Sequence, residues 1–140
     1  MSQPELYLVD TSAWVFALRK RPQEAIRQRI DRLLELGTVA TCGLVELELL
    51  GGALSKQEFA RLEMRLWGLH RLPTDEADWN SAARLAFSLR RAGVTVPFAD
   101  LLLAALALRH SAILVHADRD FDLIANHSPL RVESFAGAIK

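Results

Sequence analysis

The sequence contains one cysteine, Cys42, so an internal disulfide is excluded. No N-terminal stretch joins a basic region to a long apolar one, as a secretory signal would. The longest apolar run, residues 101–108, is about half the length that a membrane-spanning helix requires. We therefore expect a cytoplasmic protein without membrane attachment.

Net charge is also absent, because 17 Lys and Arg residues balance 17 Asp and Glu residues. The chain thus lacks the electrostatic footprint of a protein that grips nucleic acid over a wide surface, although a nucleic-acid substrate stays open. With 51% apolar and 24% charged residues, the composition excludes a disordered chain. Since no repeat or linker interrupts its 140 residues, we expect residues 1–140 to form a single domain.

Short apolar stretches alternate with helical patterns along the chain. Gly37 and Gly93 mark helix ends, Asp75 can cap a helix, and Ser55 with Glu58 has the spacing of a capping box. This order predicts an α/β fold with a central parallel sheet of four to five strands, covered by helices on both faces. The predicted strands are 6–9, 38–41, 71–73, 112–116 and 130–134, and the predicted helices are 12–17, 22–36, 44–50, 56–68, 76–92 and 98–110.

Four carboxylates interrupt apolar segments. Asp10 closes the stretch LYLV, and Asp118 follows AILVHA, so both come directly after a buried strand. Asp100 lies in the first turn of the apolar helix PFADLLLAALAL, and Glu48 lies between leucines in LVELELLGG. A buried charge is costly unless it is paired, hydrogen-bonded or bound to a metal. We expect the four side chains to converge at the carboxyl edge of the sheet, where ligands of such folds bind.

Converging carboxylates repel one another unless a cation neutralises them. Oxygen ligands suit Mg²⁺ or Mn²⁺, whereas zinc would call for the cysteine and histidine clusters that this chain lacks. Such an ion can activate water and stabilise the charge that develops in phosphodiester cleavage. The structural alternative is that Asp10 and Asp100 only cap helices and that Asp118 is a turn residue.

The ordered set of these motifs resembles the PIN-domain ribonucleases and, within them, the toxins of bacterial VapBC toxin–antitoxin pairs. The segments that carry the resemblance are VDTSAW, ELLGG, PFADLLLAALAL and LVHADRDFDLIA, and together they span about residues 5–135. The resemblance implies a Mg²⁺-dependent endoribonuclease, with Mn²⁺ as a possible substitute. It also implies a homodimer and a small VapB-type antitoxin whose C-terminal segment blocks the acidic site.

Carried over by position, the resemblance makes Asp10, Glu48, Asp100 and Asp118 both the catalytic residues and the metal ligands. Glu48 is preferred to Glu46 because only Glu48 has a glycine, Gly52, four residues later. The auxiliary candidates are Asp120, which would assist Asp118; Thr11 or Ser12, which would orient Asp10; His116; and Arg119.

His116 stands where many relatives carry threonine or serine, and a packing role is favoured over that of a catalytic base. Arg119 could touch a substrate phosphate or be a solvated surface residue. The three tryptophans are expected to build the core or a subunit contact. In particular, Trp14 and Phe16, and Leu66 and Trp67, are expected to be covered by a second copy or by the antitoxin.

Two other classes compete with the nuclease. A phosphotransferase of the haloacid-dehalogenase type also places a nucleophilic aspartate after a buried strand, but it requires a second aspartate two positions later, where this chain has Ser12. A non-catalytic PIN-like binding module would be favoured by the loss of one of the acids, and all four are present.

Overall fold

The computed structural model describes residues 4–139. The five strands are β1 (Tyr7–Val9), β2 (Val39–Thr41), β3 (His70–Arg71), β4 (Ile113–His116) and β5 (Val132–Ser134). The helices are α1 (Thr11–Leu18), α2 (Glu24–Glu35), α3 (Gly43–Gly51), α4 (Lys56–Trp67), α5 (Glu76–Arg91), α6 (Phe98–Arg109) and α7 (Arg119–Asn126). A short 3-10 turn, Ala136–Ala138, follows β5.

The strands form one parallel sheet in the order β3-β2-β1-β4-β5. Right-handed crossovers place α1 to α4 on one face and α5 to α7 on the other. The packing agrees, since α1 contacts α2 and α3, whereas α6 contacts α5 and α7. The predicted three-layer α/β fold is confirmed. Strand order reverses between β1 and β4, and a ligand site is expected at the carboxyl ends of those two strands.

The core is built on the two central strands. Leu8, Val9, Leu114 and Val115 have no exposed surface. Such continuous apolar runs are typical of parallel strands that helices cover on both faces. Helix α6 packs almost all of its middle residues into the core, which explains why it is apolar on nearly every side.

The predicted helix ends are mostly correct. Gly37 and Gly93 take the positive φ angles, 69° and 81°, that end α2 and α5. Asp75 caps α5 in a full capping box with Asp78. The predicted box at α4 is only half formed, because the Ser55 side chain accepts from the Glu58 N–H but Glu58 accepts from the backbone of residue 54.

Several predicted boundaries were wrong, including the start of β5, which is Val132 rather than residue 130, and one helix was missed. Helix α2 begins at Glu24, with the Gln23 side chain as its cap, rather than at Pro22. Strand β3 is His70–Arg71 instead of 71–73, because Arg71 is already opposite the last residue of β2. Helix α7 was not predicted at all. In the part of the chain that the structure describes, no helix is long and apolar enough to cross a membrane.

Candidate metal centre

Asp10 follows β1 and caps α1 at the carboxyl edge of the sheet. Its Oδ2 accepts the Ser12 N–H at 3.0 Å and the Ser12 hydroxyl at 2.6 Å. Burial raises the pKa of this carboxyl, while the hydrogen bonds from Ser12 oppose that rise. The capping interpretation of Asp10 is therefore correct, and it is compatible with a metal-binding one, since the side chain is buried next to another acid, Asp118.

Ser12 connects Asp10 to the chain segment that carries Asp118. The Ser12 Oγ donates to Asp10 and accepts the Ala117 N–H at 2.9 Å. The Thr11 hydroxyl instead donates to Glu48 Oε1 at 2.9 Å. Of the two hydroxyls considered for orienting Asp10, Ser12 contacts it, whereas Thr11 contacts another acid of the predicted quartet.

Asp118 follows β4 and caps α7. Its Oδ1 accepts the Asp120 N–H at 2.9 Å. The segment that was considered a turn is therefore the start of a helix. Carboxylate oxygens of Asp100, Asp118 and Asp120 lie within 4.8 Å of one another. Asp120, which was expected only to assist, thus belongs to the innermost group. Burial and the neighbouring Asp118 both raise the pKa of Asp120.

Asp100 lies in the first turn of α6, and it does not cap that helix. The residue at the cap position is Pro97. Among residues 4–139, the buried Oδ2 of Asp100 has no hydrogen-bond partner. Burial, followed by the charges of the neighbouring acids, raises the pKa of Asp100 to about 7. Those acids are Asp118, Asp10, Asp120 and Glu48.

Glu48 joins the group from its outer side. Its flanking leucines predicted a buried carboxylate, and this was wrong, because α3 buries only Val45 and Leu49 and leaves Glu48 exposed. It still lies close enough to Asp100 to raise the pKa of that residue. Glu46, the rejected candidate, instead forms an ion pair with Arg71.

His116 ends β4 and is completely buried. Its Nδ1 accepts the Asp118 N–H at 3.1 Å, and its Nε2 lies 3.2 Å from Asp122 Oδ1. The ring packs against Phe121, with 5.2 Å between the centroids. Burial lowers the pKa of His116, which favours the neutral ring. These contacts fit the packing role and hold the backbone of Asp118 in place.

The remaining candidates lie farther out. Arg119 is an exposed residue at the start of α7. Trp14 and Leu66 are core residues rather than the surface contacts that were expected, because each is 5% exposed. Trp67, the neighbour of Leu66 on α4, is 79% exposed and therefore remains available to a partner.

The donor set fits a hard divalent cation. Oxygens of several carboxylates crowd one small region, and one of them is buried without a partner, so the cluster is electrostatically incomplete. Oxygen ligands of this kind suit Mg²⁺ or Mn²⁺. Asp100, Asp118 and Asp120 would hold such an ion, and Asp10 and Glu48 lie close enough to add their charge to the site.

The chain matches known proteins over nearly its whole length. The PIN domain family matches residues 7–126. VapC ribonuclease Mb1587 of Mycobacterium bovis and ribonuclease VapC11 of Mycobacterium tuberculosis are each 42% identical over 134 residues, which cover 93% of this chain and 99% of the relative. A solved structure of VapBC2 from Rickettsia felis, bound to a promoter DNA fragment, aligns with a TM-score of 0.77 at 24% identity and covers 93% of this chain and 98% of that one.

The low identity to the Rickettsia felis protein makes that likeness one of fold. The match to the PIN family and the 42% identity to the mycobacterial proteins extend to the sequence itself, and they include the segments that position the acids. This chain belongs to the PIN-domain family and, within it, to the VapC ribonucleases.

Proposed function

We propose that the protein is a Mg²⁺-dependent endoribonuclease and the toxin of a toxin–antitoxin pair. The observation that carries the proposal is the buried, unpartnered Oδ2 of Asp100 beside the oxygens of Asp118 and Asp120. The names of the 42% identical relatives, which are ribonucleases, support RNA as the substrate. The whole chain, residues 1–140, would act as one PIN domain in the cytoplasm.

In this proposal, Asp10, Glu48, Asp100 and Asp118 are the catalytic metal ligands, with Asp120 beside them. A bound Mg²⁺ would activate water and stabilise the developing charge on the phosphate. Ser12 holds Asp10 against the segment that carries Asp118, and His116 holds the backbone of Asp118. Asp100, with a pKa of about 7, keeps a proton on part of the metal-free molecules at neutral pH, and a bound cation would favour its ionised form.

The test is incubation of the purified chain with a panel of structured cellular RNAs. Cleavage is expected in Mg²⁺ or Mn²⁺ and should stop with a chelator. Ca²⁺ should support binding but little cleavage, because its longer and looser coordination positions water poorly. Asp10→Asn should abolish the cuts, whereas Asp31→Asn, the same change at an exposed site on α2, should preserve them. Cuts that persist in the Asp10 variant would come from a contaminant and would defeat the proposal.

The same preparation separates the competing classes. A phosphotransferase would form a covalent aspartyl-phosphate and release phosphate from small monoesters, and a binding module would do neither. Ser12 occupies the position where the phosphotransferase needs its second aspartate, and its hydroxyl is already bonded to Asp10 and to the backbone of residue 117. We therefore expect no phosphate release from monoesters.

The partner would be a small VapB-type antitoxin. A groove between α1, α2 and α4 has an apolar floor that includes Trp14 and Ile30, and its rim carries basic residues such as Arg19, Arg27 and Arg65. This combination suits an acidic segment with apolar anchors. Arg65→Glu should weaken neutralisation by the antitoxin without changing RNA cleavage, and unchanged neutralisation would exclude this groove.

A further inference from the structure

Arg71 ends the edge strand β3, at the same edge of the sheet as the acidic cluster. Its position follows from the register, in which Leu8 lies opposite Ala40 and Thr41 lies opposite Arg71. Arg71 is therefore two strands away from the end of β1, or roughly 10 Å. Arg119 follows Asp118 after β4, which lies on the other side of β1 from β3 in the sheet.

The guanidinium of Arg71 is held at the start of α3. Its Nε donates to both oxygens of Glu46, at 3.1 and 3.3 Å. A Cβ at position 43 would lie 3.4 Å from Arg71 Nη2, so the guanidinium packs against Gly43 at the first turn of α3. The same helix carries Glu48. Arg71 is thus fixed to the element that contributes one of the acids.

This arrangement leaves most of the guanidinium free for a ligand. The Arg71 side chain is 62% exposed, and the bonds to Glu46 use only Nε. The Glu46 side chain is only 21% exposed, so the pair is anchored on the glutamate side while the guanidinium faces solvent. The two terminal amino groups keep the planar fork that suits a phosphate.

We propose that Arg71 binds a backbone phosphate of the RNA strand beside the one that is cut. The proposal rests on the proposed nuclease function. A chain with no net charge and an acidic centre needs local cations to hold an RNA strand against that centre.

The test measures RNA binding and cleavage separately. A short fluorescent single-stranded RNA of mixed sequence is titrated in Ca²⁺, and KM and kcat are measured in Mg²⁺. Arg71→Gln should raise Kd and KM by about fivefold and reduce the salt slope of binding by about 0.7, the value for one phosphate contact on a single strand. The turnover number should stay within about twofold, because the phosphate contact is equal in the ground state and the transition state.

Two variants serve as controls. Arg32→Gln removes an equally exposed arginine that is also paired with a glutamate, Glu35, near the end of α2 and far from the carboxyl edge, and it should leave Kd unchanged. Glu46→Gln frees Arg71 and removes a competing anion, so RNA should bind as tightly as to the wild type, or more tightly. A purely structural ion pair would make Glu46→Gln and Arg71→Gln behave alike, with a lower kcat and weaker metal binding.

The outcomes also separate this inference from the nuclease proposal. If the wild type neither binds nor cuts RNA, both are overturned. If the wild type binds and cuts RNA but Arg71→Gln has the same Kd and salt slope, only the assignment of Arg71 is overturned. A methylphosphonate scan of the bound RNA supplies the position: neutralising the contacted phosphate should weaken binding to the wild type and not to Arg71→Gln.

Discussion

Asp100 is the residue whose protonation links the centre to the stability of the fold. Its pKa in the folded chain is about 7, whereas an exposed aspartate titrates near 3.9. Between these two pH values the folded chain binds more protons than the unfolded chain, so raising the pH destabilises the metal-free protein. The stabilising contribution is complete below the unfolded pKa and is lost as the pH passes through the folded one.

We therefore expect the melting temperature of the metal-free wild type to fall between about pH 5 and about pH 8. Asp100→Asn should flatten that dependence and should melt at the same or a higher temperature at the upper pH, because a buried charge has been removed. It should also abolish RNA cleavage. Thermal scans in chelator measure the effect, and a large loss of stability in the variant at every pH would show a structural role instead.

Ser12 offers a second test at the scale of one residue, because its hydroxyl joins Asp10 to the segment before Asp118. Ser12→Ala should weaken metal binding by about 10- to 100-fold, as the loss of an outer-shell hydrogen bond does. Ser12→Thr should restore most of it. Ser55→Ala removes a capping hydroxyl from α4 and should cost stability only. Calorimetric Mg²⁺ titration distinguishes the variants, and equal metal affinity in all of them would refute the role of Ser12.

At the scale of elements, the sequence predicted the buried strands and the apolar helix α6 because burial leaves a continuous apolar pattern. It missed α7 because HADRDFD looks like a polar turn. The structure uses Asp118 as the cap, and it places Asp120 and Asp122 in the first turn, where the helix dipole favours anions. A cap followed by acids, with Phe121 and Ile124 on one face, was a signal that could have revealed this helix.

The sequence predicted that the four acids come near one another, and the structure places the other three close enough to influence Asp100, but their arrangement could not be predicted. Glu48 is exposed because α3 has only a narrow buried side, which flanking leucines do not reveal. Asp120 approaches Asp100 only because α7 begins where it does. Pairs such as Ser12 with the Ala117 N–H join residues 105 positions apart, so they depend on the packing of β1 beside β4.

A buried ion pair joins α5 and α6 away from the metal centre, and its loss can be predicted. Arg109 donates to both oxygens of Asp78, at 2.7 and 3.0 Å, and the Asp78 side chain is 1% exposed. The hydrogen bonds from Arg109 lower the pKa of Asp78. Arg109→Met would leave a buried carboxylate unpaired.

That substitution should destabilise the fold by about 3 kcal/mol. The loss should shrink in acid, where Asp78 can take up a proton. Arg27→Met, which breaks an exposed pair with Glu24, should cost less than about 1 kcal/mol. Urea unfolding measures both. Metal affinity should not change, since Arg109 is at the far end of α6 from Asp100, and a change would mean that the junction also shapes the centre.

At the scale of the whole molecule, two of the apolar regions that residues 4–139 expose are the strongest candidates for contact surfaces. One lies on α3 and α4, where Leu47, Met64 and Trp67 are more than two-thirds exposed, beside a groove lined by Arg61 and Arg65. The other lies on α5 and α6, where Trp79 and Phe87 flank grooves with mainly apolar walls. The groove at the first face shares Leu18 and Arg65 with the groove between α1, α2 and α4 that we propose for the antitoxin. We therefore assign the first face to the antitoxin and the second, whose grooves are mainly apolar, to a homodimer.

Two matched tryptophans test this assignment. Trp79 is 58% exposed on α5 and Trp67 is 79% exposed on α4, so a glutamate at either position should be tolerated by the fold. Trp79→Glu should convert the dimer into a monomer, because a charge would be buried at the contact between copies. Trp67→Glu should remain a dimer and should bind the antitoxin less tightly. Sedimentation equilibrium of the two variants and the wild type gives the answer. A wild type that is monomeric at high concentration would refute the homodimer. If only Trp67→Glu loses the dimer, the assignments of the two faces are reversed.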